Sequence, residues 1–504
     1  MTTNSLRIRK SSIYVLGKFA EQSAGLLTTW LLMTQLSLSD YGIYNLFLAI
    51  AVYLGALSSI GIAPFYQFLR KYIPGAPPAG FCRVVQLGLG SRLILFLPAA
   101  AAVFWLLTLP EVELRLTGAS NYFSIFVITA ISLLQAGSLQ RILETLFLHK
   151  YVALANLVYT LCRLFALGII FYLGYGLWEV LWMDLAASLV LLSAYARYAA
   201  AALNSLPDKP GAAAGVSFAA LLKQLLKTGR LNFFDQPGTL LFNISTDFVI
   251  IAFFLDLNAL GRYAFVAHLS YLISKCLPGN LLKGVIIPAY FSRYACSNNK
   301  IELGKMFRII SKLTAFILFP IFIITVILGR EIVGQAFDAR YLDAYPAMVL
   351  LLFYHVMLSF PASLPLQVLE RTEFRLIGKI ALVYNIVMSA VLVQHWGITG
   401  VALASASAIL WQRTVEYYMA KKHVQAALPW KDLLKILFNS LTVGALALLA
   451  KPLLGSLPAL GIFLAAAAII YLALSYFNMA FISEERRLLY QLAGKPYSRF
   501  PVKG

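Results

Sequence analysis

Residues 12–36 read SIYVLGKFAEQSAGLLTTWLLMTQL. As a helix, this run is long enough to cross about 30 Å of hydrocarbon. It nevertheless carries Lys18, Glu21, Gln22, Gly25, Thr28 and Thr29. Steps of three and four residues put all of them on one helical face. A charge at bilayer depth costs about 2.5–3.5 kcal/mol on insertion scales, so this face turns toward protein or water rather than lipid. The segment reads as one helix of a bundle with a polar interior.

The rest of the chain agrees. Over 504 residues, hydrophobic residues make up 61% and charged residues 12%. Soluble domains run at roughly 45–50% and 25%. Mean hydropathy is +0.79. A soluble fold has too few charges here to cover its surface, so the chain reads as an all-α polytopic membrane protein. Fourteen spans are expected, near 12–36, 41–64, 84–109, 121–143, 151–173, 177–199, 231–256, 261–287, 307–328, 344–369, 376–396, 398–420, 430–452 and 456–481.

The net charge is +20. In a soluble protein that excess points to nucleic acid; here it follows the positive-inside rule, and no nucleic-acid partner is expected. With the N-terminus inside, only Arg115, Arg262, Arg330, Arg340 and Lys451 fall in outer segments. Both termini are therefore expected in the cytoplasm. Arg7, Arg9 and Lys10 precede the first span with no small-residue cleavage site, which reads as a start-transfer helix. Cys82, Cys162, Cys276 and Cys296 lack metal or disulfide spacing, so neither metal nor cofactor is expected. No GxxxxGK[ST], HExxH or GxSxG occurs, so no ATPase is expected on this chain.

A polar break at 206–230 separates an N-terminal lobe (1–205) from a C-terminal lobe (231–425), with two extra spans and a tail in 426–504. Asp40-Tyr41-Gly42-Ile43-Tyr44 is echoed by Leu260-Gly261-Arg262-Tyr263, as in transporters built from repeated halves. The polar stripe of the first span has a counterpart in the seventh: Asn232, Asp235, Gln236, Thr239, Asn243, Thr246 and Asp247. Asn156, Tyr159, Thr160 and Arg163 share a face of the fifth span, and the eighth carries His268, Tyr271, Lys275 and Lys283.

Each of these has a bland explanation. Lys18 and Glu21 are spaced to neutralise one another. Asp235 and Asp247 are available to pair with Lys275 or Lys283. Arg92 is near enough to a span end to snorkel, and His268 alone is ordinary packing. Together, five basic residues within spans (Lys18, Arg92, Arg163, Lys275, Lys283) are explained more simply by a wet, cationic cleft. Such a cleft suits an anionic, phosphate-bearing passenger.

Ser39-Asp40-Tyr41-Gly42-Ile43-Tyr44-Asn45-Leu46 after a polar first span resembles the start of Wzx-type polysaccharide flippases, the PST branch of the multidrug/oligosaccharidyl-lipid/polysaccharide (MOP) exporter superfamily. Thr246 to Ile251, Gly261-Arg262-Tyr263, Pro288 to Arg293, Phe337 to Ala344 and Trp396 to Ala404 follow in that family's order. The similarity runs from about residue 8 to 425. It implies two pseudo-symmetric lobes in a MATE-like V. It also implies an undecaprenyl-pyrophosphate-linked oligosaccharide as cargo, moved across the bacterial cytoplasmic membrane for O-antigen or exopolysaccharide synthesis, with a polymerase and a chain-length regulator as partners.

On this reading Lys18, Gln22, Arg92, Arg163, Lys275 and Lys283 are candidates to hold pyrophosphate and glycan, and Glu21, Asp235 and Asp247 to couple a cation. Rival readings are a MATE-like multidrug exporter, which favours an acidic cleft, a lipid II flippase, which differs in cargo, and a membrane glycosyltransferase or polymerase, for which the outer loops are short.

Overall fold

The computed structural model describes residues 23–58, 81–116, 118–146, 148–204, 244–275, 300–368, 380–424, 427–479 and 481. Among these residues all regular structure is helical. After a helical segment at 23–35 come α1 (Leu38–Ser58), α2 (Phe81–Leu107), the short α3 (Pro110–Arg115), α4 (Ala119–Thr145), α5 (His149–Tyr172), α6 (Leu177–Asn204), α7 (Ile244–Phe254) and α8 (Leu257–Lys275). They are followed by α9 (Lys300–Ala336), α10 (Tyr345–Ser359), α11 (Leu364–Val368), α12 (Ile380–Val424), α13 (Trp430–Ala450) and α14 (Leu457–Phe477). Ten helices among the described residues are long and apolar enough to span a membrane, and α7 is a shorter apolar helix. The chain is a multi-pass membrane protein.

Helix ends shift from the expected spans where the sequence holds a cap or a breaker. The second span was expected from residue 41 and the eighth from 261. Their helices start at Leu38 and Leu257. Ser37 Oγ accepts the Asp40 N–H at 3.0 Å, and Asp256 Oδ1 accepts the Ala259 N–H at 2.7 Å. These side chains satisfy first-turn donors that hydropathy does not register. The ninth span, expected over 307–328, belongs to the much longer α9, with Pro320 inside it. Beyond the expected span end at 328, the segment from Gly329 continues α9 to Ala336 and then forms a 3-10 turn over Ala339–Ala344. The break expected between 396 and 398 is present inside α12. Gly397 has φ 54° and ψ −137°, a conformation that favours glycine.

The chain divides into two compact units, Met1–Gly261 and Arg262–Gly504. In the first, α4 and α5 pack on α6, and α1 packs on α2 and α7. Leu139, Ile142, Leu143, Val152, Leu191 and Tyr195 make a core there. In the second, α9 packs on α13, and α10 on α12. Leu328, Ala447, Leu454 and Leu460 fill one layer, and Leu303, Phe307, Leu366, Ala420 and Val424 another. Gly444 lets α13 approach α9 closely: a Cβ there would lie 2.5 Å from Ile323 Cγ2.

All five basic residues expected in outer segments are held by neighbours. Arg115 donates to the Phe253 carbonyl, Arg262 faces Asp343 at 3.9 Å, and Arg340 faces Asp338 at 3.3 Å. Lys451 pairs with Glu331 at 3.0 Å, and Arg330 lies over the Tyr345 ring.

The terminal pair α13–α14 is fastened by polar contacts. Lys312 on α9 is 0% exposed; its Nζ reaches Asp432 Oδ2 at 2.9 Å and lies 5.0 Å from the Phe481 ring centroid. Asn439 donates to Ser475 at 3.1 Å and accepts from Asn478 at 2.7 Å. Removing one partner of a buried pair costs about 3–5 kcal/mol when no water can help; Asp432 is 26% exposed, so Asp432→Asn is expected to cost about 2 kcal/mol. Thermal stability in detergent, read by fluorescence-detected size exclusion, is expected to fall in this variant. It is expected to recover in Lys312→Met/Asp432→Leu, which removes both charges.

Candidate transport site

The candidate residues divide sharply. Lys18, Glu21, Gln22, Asp235 and Lys283 lie outside the described residues, and Lys275 is described only as the last residue of α8. Arg92, Arg163 and Asp247 are described in full.

Arg163 is the clearest case. It projects from α5 toward α6 rather than standing open to a ligand. Its Nε lies 2.6 Å from Asp184 Oδ1, and its Nη2 is 3.2 Å from Asp184 Oδ2. The same Nη2 donates to Tyr44 Oη at 2.5 Å, and Tyr44 in turn donates to Asp184 Oδ2 at 2.9 Å. The side chains of Arg163 and Asp184 are 19% and 9% exposed. A two-pronged guanidinium–carboxylate pair closed by a phenol ties α1, α5 and α6 together. The sequence singled out Arg163 and missed Asp184, which stands alone in an apolar run.

The rest of the α5 stripe is also spent on packing. Asn156 Oδ1 accepts from Tyr195 on α6 at 2.6 Å, Tyr159 packs against the α4–α6 core, and Thr160 bonds back to the Asn156 carbonyl. In lipid, polar side chains commonly join helices in this way.

Arg92 is buried rather than snorkelling. Its Nη1 donates to the Leu134 carbonyl at 2.7 Å and to Ser138 Oγ, and its Nε faces Ser58 Oγ at 3.4 Å. The guanidinium thus joins α2 to α4 and to the end of α1. Asp247 is 1% exposed, on α7. Beside it, Thr246 shares a 2.6 Å hydrogen bond with Tyr53 of α1. The described part of the first-span stripe closes on its own backbone, Thr28 to the Ala24 carbonyl and Thr29 to the Gly25 carbonyl, both at 2.9 Å. His268 Nδ1 is 2.9 Å from the Ala264 carbonyl, consistent with packing.

Two features were not singled out in the sequence. Arg413, 14% exposed, pairs with the buried Glu416 at 2.5 Å and donates to the Leu358 carbonyl at 3.0 Å. The second unit also holds an apolar cavity of about 540 Å³, lined by residues including Ile273, Phe316, Pro320, Ile324, Leu464 and Tyr471. Walls of that kind suit hydrocarbon, not a charged phosphate. No group of His, Cys, Asp and Glu among the described residues is placed to hold a metal ion.

If the Arg163–Asp184 pair is structural, Arg163→Ala and Asp184→Asn are each expected to cost about 3 kcal/mol. The double variant Arg163→Leu/Asp184→Leu is expected to recover much of that loss. Arg163→Lys is not expected to rescue, because a point charge cannot hold Asp184 with two prongs and reach Tyr44. Thermal melting of the detergent-solubilised proteins checks this order.

Comparisons with known proteins were made on this background. Residues 8–295 match the sequence profile of the family described as "Polysaccharide biosynthesis protein". No protein of curated function matches the sequence significantly. Among solved structures, the chain is similar to the lipid II flippase MurJ in an inward closed conformation. The TM-score is 0.67 at 17% identity, over 95% of this chain and 99% of that one. It is also similar to an inward-facing multidrug resistance MATE family transporter of the MOP superfamily. There the TM-score is 0.61 at 15% identity, over 80% of this chain and 95% of that one. The profile covers more than half of the sequence: the chain belongs to the polysaccharide biosynthesis protein family and carries the fold shared by MOP-superfamily flippases and exporters.

Proposed function

We propose that the chain is a flippase that carries an undecaprenyl-pyrophosphate-linked oligosaccharide from the inner to the outer leaflet of the bacterial cytoplasmic membrane. The observation that carries this reading is the family match over residues 8–295, joined to a fold shared with a lipid flippase. The passenger is amphiphilic: a wet glycan, two phosphates and a hydrocarbon tail. Its anionic group needs in-span cations whose donors are not already committed to the protein. Arg163 is committed to Asp184, and Arg92 to Ser138 and the Leu134 carbonyl. We assign the phosphate role to Lys18, Lys275 and Lys283, the in-span lysines read from the sequence. Lysine suits it, because a flexible point charge grips phosphate and releases it again.

The cytoplasmic ends carry the basic excess, so both termini lie inside. Cargo enters from the cytoplasmic leaflet, and its glycan passes through a water-accessible path while the tail stays in hydrocarbon. With the inside negative, export of an anion is favoured by about 2.3 kcal/mol per charge per 100 mV. A cation taken up at Glu21, Asp235 or Asp247 then serves to reset the empty carrier. The exported unit feeds surface polysaccharide, O-antigen or exopolysaccharide, through a polymerase and a chain-length regulator.

Replacing Lys18 and Lys275 together by Gln is expected to abolish glycan export at normal membrane levels of the protein, with the lipid-linked oligosaccharide accumulating inside. Export at the wild-type rate in that double variant would refute the assignment. A deletion strain made sensitive to cationic drugs, with polysaccharide intact, would favour the multidrug reading instead.

A further inference from the structure

His355 lies on α10, about 15 Å along the helix from Tyr345. That places it near mid-depth of a hydrocarbon core about 30 Å thick. It is 4% exposed. An ionisable side chain at that depth is costly, and in transport proteins it commonly marks an ion or proton pathway. The other buried charged side chains among the described residues, Arg92, Asp184, Asp247, Lys312 and Glu416, all interact with neighbours. His355 stands apart from them. Its Nε2 is buried with no hydrogen-bond partner, and no hydrogen bond or ion pair joins its ring to another described residue.

Two aromatic rings flank the imidazole. The buried Tyr354 lies 5.2 Å from it and Tyr271 of α8 lies 5.9 Å from it, centroid to centroid. Tyr271 is 42% exposed, so the surface is nearest on that side. Two turns before His355, Ser270 Oγ of α8 donates to the Met348 carbonyl at 3.3 Å. A ring contact and one long neutral hydrogen bond are weak fastenings compared with the ion pairs elsewhere. All of these residues belong to the second compact unit.

The charged groups on the elements packed against α10 are engaged elsewhere. On α8, His268 is turned to the Ala264 carbonyl, and Lys275 ends the helix one turn past Tyr271. α9 sets Phe319 and Phe322 against Phe360 and Phe353, while its Lys312 is bound to Asp432. On α12, Arg413 donates to the Leu358 carbonyl three residues beyond His355, but Glu416 neutralises it. Asp338, Arg340 and Asp343 of the 3-10 turn lie at the other end of α10. A neutral imidazole here contributes nothing that an apolar ring would not, and its orphan nitrogen is a cost. An imidazolium, by contrast, is attracted by aromatic rings at these distances. The position is equipped to take a proton when water reaches the ring and to release it when the apolar surroundings close.

We propose that His355 is a proton-binding site of the carrier, shut off from water in this structure and reached past Tyr271 in another state. The proton binds at Nε2 and leaves from the same atom, so nothing else is consumed. The inference rests on the flippase reading for its purpose. It goes beyond that reading in naming the coupled cation as a proton and in assigning it to an imidazole of the second unit rather than to a carboxylate.

The test has two arms. The first needs no cargo: the full chain, purified in detergent, is incubated in heavy water over a range of pH, and deuterium uptake at the Cε1 of each histidine is read by peptide mass spectrometry. Exchange at that carbon rises as the ring loses its proton and levels off above the midpoint. His355 is expected to titrate with a midpoint between about pH 5 and 8. Its plateau rate is expected within about tenfold of that of the exposed His395. The second arm measures movement of the lipid-linked oligosaccharide in liposomes. The unaltered protein is expected to work about tenfold faster at pH 6 than at pH 8, because raising the pH removes the proton. His355→Gln, which is polar but takes no proton, is expected to run at one rate at both.

Retention of the full pH dependence in His355→Gln would overturn the proposal. So would transport by the unaltered protein that is the same at both pH values, which leaves the cargo assignment intact. An absence of exchange at His355 while His395 exchanges fully would also overturn it, an outcome that needs no variant to fold. The expected titration at His355 combined with no oligosaccharide movement at any pH would sink the cargo assignment and leave the proton site standing.

Discussion

A charge inside a membrane must find a partner, and the described structure is organised around that requirement. Arg163 is met by Asp184 and Tyr44, Lys312 by Asp432 and a ring face, and Arg413 by Glu416. The first two pairings join separate helices, and Arg413, paired within α12, also donates to the Leu358 carbonyl of α10. Hydrophobic burial cannot choose helix neighbours in lipid, because lipid tails are as apolar as leucine. Polar pairs and close glycine contacts make the choice instead. In the first unit, Arg163 and Arg92 link α1 to α4, α5 and α6.

Much of the architecture was legible in the sequence because bilayer thickness imposes a length on every apolar run. The break at Gly397 and the apolar runs that became α4, α5, α6, α13 and α14 follow from composition alone. Helix starts were less legible. Ser37 and Asp256 determine where α1 and α8 begin, but a hydropathy window averages over a single capping residue. The length of α9 escaped for a similar reason: Arg330 and Glu331 end the apolar run at 328, while in the structure Tyr345 and Lys451 meet them and the helix continues.

The candidate site was harder to read, and the reason is physical. A basic residue within a span announces itself, but whether it serves a ligand or a neighbouring helix depends on what lies opposite. Arg163 looked like a phosphate ligand because Asp184 lies 21 residues away on another helix. Arg92 looked able to snorkel because its partners are a carbonyl and hydroxyl groups, which carry no charge pattern.

The account makes the protein a carrier of an amphiphilic anion. Reconstitution of the purified chain in liposomes with a labelled undecaprenyl-pyrophosphate oligosaccharide tests this most directly, with glycan exposure on each face read by an enzyme that cannot cross the bilayer. The account requires the glycan to move between leaflets at a rate set by the amount of protein, and to slow when the in-span lysines are neutralised. Movement no faster than in protein-free liposomes, with the protein folded and inserted, would contradict it.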